Sequence, residues 1–324
     1  VDFQPSDDQR ALQEGIRSFC DGRVPLDALR GLEEKFDRAL WGELAEMGVF
    51  SLRLPEAKGG VGLGAADAVI VFAELGRRLV PGPLAWSHLL ADRIDGAGRG
   101  ETVVGGVDAL DPRGGPLLVE HFAALDALVV LRADGVFRVD PRAVRAEPIG
   151  VPLDPHTPVS HVKELPQGDR IGDAAEARRL RLEGAALTSA LQLGVAEASQ
   201  QLATEYAKHR EQFGRVIGSF QAIKHLLADA FVRQELARAA VYAAGATIDQ
   251  PEVGSAERAV ASAKITAGDA ALKNARCCVQ VHGGMGYTWE VPAHYYLKRA
   301  IVLENAFGTS EEYSERMAEW LSKS

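Results

Sequence analysis

Two short segments of this chain carry residue types that can hold an anionic ligand. The first is Arg210-Glu211-Gln212-Phe213-Gly214, in the gap between two long helical patterns. A guanidinium at such a loop can make bidentate hydrogen bonds to a pyrophosphate, and the free N–H groups opening the next helix add a favourable dipole end. The plainer role for Arg210 is an ion pair with Glu205 or Glu211, and for an isolated arginine that is the commoner outcome. The second segment is Gln280-Val281-His282-Gly283-Gly284-Met285-Gly286-Tyr287. Its glycines let a backbone approach a ligand closely, although a lone Gly-Gly-x-Gly more often only ends a helix.

Groups for acid–base work are sparse. His282 and His225 can titrate near neutrality, but each sits beside a helix core with no partner legible in sequence, so both read as structural. Glu183 lies four residues from Arg179 on a helical pattern and reads as an ion pair. No nucleophile elbow, phosphate-binding lysine loop or metal-ligand spacing is present. Cys20, Cys277 and Cys278 are too few and wrongly spaced for a disulfide framework or a zinc site and read as buried thiols.

These segments must be positioned by helices. From Asp7 onward Leu12, Ile16 and Phe19 mark one helical face, and Leu40, Leu44 and Met47 a second. Pro55-Glu56-Ala57-Lys58-Gly59-Gly60 breaks the run, and a helix follows from Ala66 to Leu79, ended by Pro81-Gly82-Pro83. Between Glu101 and about Pro166 the period shortens to β-like runs at Ala127 to Leu131, Gly135 to Val139 and Val159 to Val162. After about Asp173 long amphipathic helices return. Leu187, Leu191, Val195 and Ala198 mark one. Ile223, Leu226, Leu227, Ala230 and Phe231 mark the next. Val260, Ala263, Ala267 and Ala270 mark a third, rich in small residues that permit close helix approach. The expectation is a mainly α fold with a small β domain, organised as residues 1–100 helical, 101–172 short β, and 173–324 a helical bundle.

The 324 residues, 47% hydrophobic and 25% charged, suffice for a sizeable core. A net charge of −9 offers no electrostatic footprint for nucleic acid or anionic lipid. No stretch approaches the roughly 20 apolar residues of a membrane helix, and Val1-Asp2-Phe3-Gln4-Pro5 lacks the order of a secretory signal. A cytoplasmic protein is expected.

Taken together, in this order and separation, the Arg210 and Gly283-Gly284 segments resemble the C-terminal bundle of acyl-CoA dehydrogenases, and Pro55-Glu56-x-x-Gly59-Gly60 resembles a turn of their N-terminal domain. The resemblance implies that Arg210, Gln212, Phe213, Ile217, Gln280, Gly283 and Gly284 reach the adenine and pyrophosphate half of a neighbouring subunit's FAD. It also makes absences legible. The family's proton-abstracting glutamate falls on Phe307, within Ala306-Phe307-Gly308-Thr309, and the alternative place used by other branches falls on Gly184, followed by Ala185 where arginine is common. A phenyl ring cannot take an α proton. Glu183, one residue away, points about 100° off, and Glu304, one turn before Phe307, is the less distant substitute. Nothing like the family's Thr-Glu-Pro-x-x-Gly-Ser-Asp flavin loop occurs.

The chain thus resembles the short subunits of actinobacterial heterotetrameric enzymes acting on steroid side-chain CoA thioesters. That implies a longer homologue as partner, an acyl-CoA substrate and FAD as cofactor. Two alternatives stay open: a self-sufficient homo-oligomer using Glu304 or Glu183 as a relocated base, and a non-catalytic scaffold.

Overall fold

The computed structural model describes residues 4–26, 36–110 and 117–322. Its described residues form a mainly helical chain interrupted by small sheets between Val104 and Asp173. The helices are α1 (Asp7–Arg23), α2 (Arg38–Glu46), α3 (Ala65–Arg77), α4 (Leu84–Leu89), α5 (Ala174–His209), α6 (Gln221–Asp249), α7 (Ala256–His282), α8 (Ala293–Glu304) and α9 (Ser310–Ser322). Contacts divide the chain into two compact units. One takes in the described residues of Val1–Arg30, Val69–Val80 and Ala186–Ser324, the other those of Gly31–Ala68 and Pro81–Ala185.

The second unit holds the strands. β1 (Val104–Asp108) runs parallel to β3 (Ala127–Arg132), which pairs antiparallel with β4 (Gly135–Val139). β4 in turn pairs with β7 (Asp169–Asp173), giving the order β1-β3-β4-β7. β3 is buried along nearly its whole length because its Ala-Leu-Val-Val-Leu run is apolar on both faces. A second sheet joins β2 (Leu117–Glu120), β6 (Val159–Val162) and β5 (Ala146–Pro148). The Ser87 hydroxyl ties α4 to β1: it donates to the Val104 carbonyl at 3.1 Å and accepts from the Val104 N–H at 3.0 Å.

The first unit is helical. At its start Ser6 and Gln9 form a reciprocal capping box on α1. Where α3 meets α5 the backbones touch, since a Cβ on Gly76 would lie 2.2 Å from the Leu191 carbonyl oxygen and one on Gly194 2.0 Å from that of Ala73. Asn274 of α7 donates to the carbonyls of Ala196 at 3.3 Å and Ala230 at 2.9 Å, pinning α5, α6 and α7 to one another. The alanine-rich face of α7 is buried, from Val260 and Ala263 to Ala271 and Ala275. The Tyr296 hydroxyl donates to the Arg77 carbonyl at 3.0 Å, fixing α8 against the end of α3.

Three residues that periodicity assigns to core faces stand outward. Met47 is the residue after α2 and is 39% exposed, while Leu226 and Phe231 of α6 are 38% and 51% exposed. On α6 the covered side is instead that of Ala230, Gln234, Ala237 and Val241. Small side chains let α7 come close on that side, so the larger ones face away.

Candidate functional site

The Arg210 segment is a built structure. After α5 ends at His209, Glu211–Gln212 and Arg215–Val216 pair as a two-stranded hairpin, with Gln212 opposite Arg215. Its two-residue tip is Phe213 and Gly214, with φ of +54° and +76°. Positive φ at both central positions is the type I′ turn, whose twist matches the flanking strands. Glycine suits the second position; phenylalanine at the first adopts a conformation that costs a side-chain-bearing residue about 1–2 kcal/mol. The Phe213 ring is also 92% exposed, and it meets Phe220 edge-on with centroids 6.3 Å apart. Neither local strain nor burial explains a phenylalanine there.

The hairpin is anchored from below. The Ile217 N–H donates to the Arg210 carbonyl at 2.7 Å, and the Ile217 side chain enters a hydrophobic cluster with Ala203, Ala207, Cys278, Val279 and Val281. Arg215 lays its guanidinium over the Phe220 ring, 4.1 Å from the centroid. Arg210 is exposed and has no ion-pair partner among the described residues; Glu205 is taken by Lys208 at 2.6 Å. Gln212 is exposed and donates only to the adjacent Glu211 carbonyl. Helix α6 then follows its N-cap residue Phe220, with no side-chain cap and no acidic residue in its first turn. Its first N–H groups are therefore available to an anion beside Arg210.

The glycine segment ends α7 on the same cluster. Gly283 has φ of +60°, and a Cβ on Gly283 or Gly284 would meet nothing within 4 Å, so backbone is bare on an open side. Gly286 differs: its Cβ would lie 2.6 Å from the Val279 carbonyl oxygen, so close packing requires this glycine. Gln280 is exposed at the edge of the same turn. His282 is buried, donates its Nδ1–H to the Cys278 carbonyl at 2.8 Å, and stacks on Tyr206 at 4.1 Å. Burial pushes its pKa down. It is a packing residue, while His225 lies exposed on α6.

An unpaired guanidinium, an uncapped helix start, an open glycine backbone and an outward aromatic ring, all mounted on one cluster, are groups that could hold a dinucleotide's pyrophosphate. Sequence reading missed that Phe213-Gly214 is a hairpin tip. The signal was Gly214 between residues able to pair, which favours a I′ turn. It also missed Arg215.

The turn between α8 and α9 carries Phe307. Its ring is 3% exposed, its φ is +54°, and the Tyr313 hydroxyl donates to its carbonyl at 3.1 Å. Thr309 and Glu312 cap each other's backbone N–H groups at the start of α9. Three donors converge on the Glu304 carboxylate: the Ser310 N–H at 2.6 Å, the Ser310 hydroxyl at 3.0 Å and the Gln192 amide at 3.2 Å. Beneath lies Lys264, fully buried, donating to the Leu303 carbonyl at 2.9 Å. Burial lowers its pKa to about 8, against the attraction of Glu304 and Glu312. This arrangement uses Glu304 as a fastener of the turn.

In the second unit Glu183 is 6% exposed and bonded at 2.8 Å to both Arg53 and Arg179. Burial alone raises its pKa, but the two guanidiniums outweigh it and hold the carboxyl below its ordinary range. A carboxylate so held is a poor base. Gly184 and Ala185 are buried in α5 beside it. Two clefts of about 400 and 480 Å³ in this unit mix both charge signs, are lined by residues such as Arg138, Arg142 and Asp169 or Lys58, Arg93 and Asp95, and hold none of the site residues. Among the described residues no group of His, Cys, Asp and Glu is arranged to hold a metal ion, and no helix is long and apolar enough to cross a membrane. Cys20, Cys277 and Cys278 are free and buried.

The acyl-CoA dehydrogenase C-terminal domain family matches residues 178–322, and the acyl-CoA dehydrogenase N-terminal domain family residues 6–101. Acyl-CoA dehydrogenase IpdE2 of Mycobacterium tuberculosis is 34% identical, over 91% of this chain and 92% of that protein. Acyl-CoA dehydrogenase FadE34 of the same organism is 33% identical over 96% of this chain but 48% of its own length, so the chain spans about half of that relative. Among solved structures, a chain of the ChsE4-ChsE5 complex of M. tuberculosis superposes with a TM-score of 0.87 at 26% identity, over 100% of both chains. A chain of the Tcur3481-Tcur3483 steroid ACAD shares the fold, with a TM-score of 0.85 at 24% identity over 98% of each.

Proposed function

The chain belongs to the acyl-CoA dehydrogenase family, and from that premise we propose that it works as one subunit of a hetero-oligomeric, FAD-dependent acyl-CoA dehydrogenase. It contributes half of a shared flavin site, and a longer homologue contributes the catalytic carboxylate and the pocket for the isoalloxazine ring. The observation that carries the reading is a contrast within one unit. The hairpin presenting Phe213 and unpaired Arg210 is kept in a strained, outward conformation, while the family's base position holds a buried phenyl ring at Phe307.

The reaction is α,β-dehydrogenation of a CoA thioester, in which a carboxylate removes the α proton as hydride leaves the β-carbon. When bound, FAD supplies the hydride acceptor. Arg210 and the uncapped start of α6 bind the pyrophosphate, Gly283 and Gly284 allow close backbone approach, and Phe213, Gln212 and Gln280 orient the nucleotide end. Ile217 holds the hairpin on its cluster. None of these residues moves the proton. The two-protein composition named in the ChsE4-ChsE5 and Tcur3481-Tcur3483 structures supports a heteromer, and the steroid designation of the latter supports a steroid side-chain thioester as substrate class. A cytoplasmic location fits such a substrate.

The test is Arg210→Ala in the complex co-expressed with its longer homologue. A charge-assisted bond contributes about 1.5–3 kcal/mol, so flavin affinity of the complex falls about tenfold or more. Unchanged flavin retention would remove the main support for the shared site.

A further inference from the structure

We draw no further inference here: the strongest candidate, the surface stretch between β5 and β6 that leaves Ile149, Val151 and Leu153 in solvent, is an apolar face for which nothing in the structure shows what covers it.

Discussion

Replacing Phe213 by glycine separates the work of its ring from the work of its backbone. In the isolated chain the ring is 92% exposed, so its removal forfeits little burial. The edge-on contact with Phe220 is worth about 0.5–1.5 kcal/mol at most. Against this, glycine at φ +54° relieves a left-handed strain of about 1–2 kcal/mol, offset by about 0.5–1 kcal/mol of extra unfolded-state entropy. The net change in stability of the isolated chain is within about 1 kcal/mol of zero. In the complex the same substitution removes an aromatic surface for the nucleotide end of the flavin, and base stacking of that kind is worth about 1–3 kcal/mol. Flavin affinity should fall about 5- to 150-fold. Urea unfolding of the isolated chain and flavin titration of the reconstituted complex measure the two sides. Phe213→Ala, which keeps the strained backbone, should lose flavin equally and be less stable than the glycine variant. Destabilisation by Phe213→Gly of more than about 2 kcal/mol, or undiminished flavin affinity, refutes the reasoning.

Three further outcomes follow from the geometry. Glu183→Gln leaves Arg53 and Arg179 without their carboxylate and should destabilise the chain by about 1–3 kcal/mol, less than a fully buried pair because both arginines are partly exposed; turnover of the complex should not change. Because the Glu183 pKa is depressed on folding, this contribution is present above the ordinary carboxylate value and lost as pH falls through the folded value, so acid unfolding curves of wild type and Glu183→Gln should converge at low pH. Lys264 behaves oppositely: with its folded pKa at about 8 against 10.5, stability should rise by roughly 3 kcal/mol between pH 8 and pH 10.5 as the folded state sheds the buried charge. Lys264→Met should abolish that rise in urea unfolding followed against pH. Gly284→Ala should leave the melting temperature unchanged yet weaken flavin binding, whereas Gly286→Ala, meeting the Val279 carbonyl, should lower the melting temperature by several degrees.

The helices were legible because their apolar residues recur at helical spacing and their ends carry Pro, Gly or a cap. β3 was legible as an unbroken apolar run. Periodicity identifies an apolar face but not what covers it, which is why Leu226 and Phe231 read as core and stand in solvent. Lys264 lies on an alanine-rich face where only the approach of α8 reveals that its ammonium reaches a helix-end carbonyl. At the site, residue types and order pointed to Arg210, Phe213 and the glycines, and Gly214 was the local signal for the hairpin tip, whereas the absence of an ion-pair partner for Arg210 among the described residues depends on distances between segments far apart in sequence.

The shared-site account is tested most directly by counting flavin and turnover together, with the chain alone and with the chain purified in complex with its longer homologue. General-base catalysis contributes about 10²–10⁴-fold, so the chain alone, with FAD added, should show no appreciable reduction of an artificial electron acceptor by acyl-CoA substrates. The complex should turn over and contain fewer flavins than polypeptides. One FAD per polypeptide in the complex, or robust turnover by the isolated chain, would contradict the account.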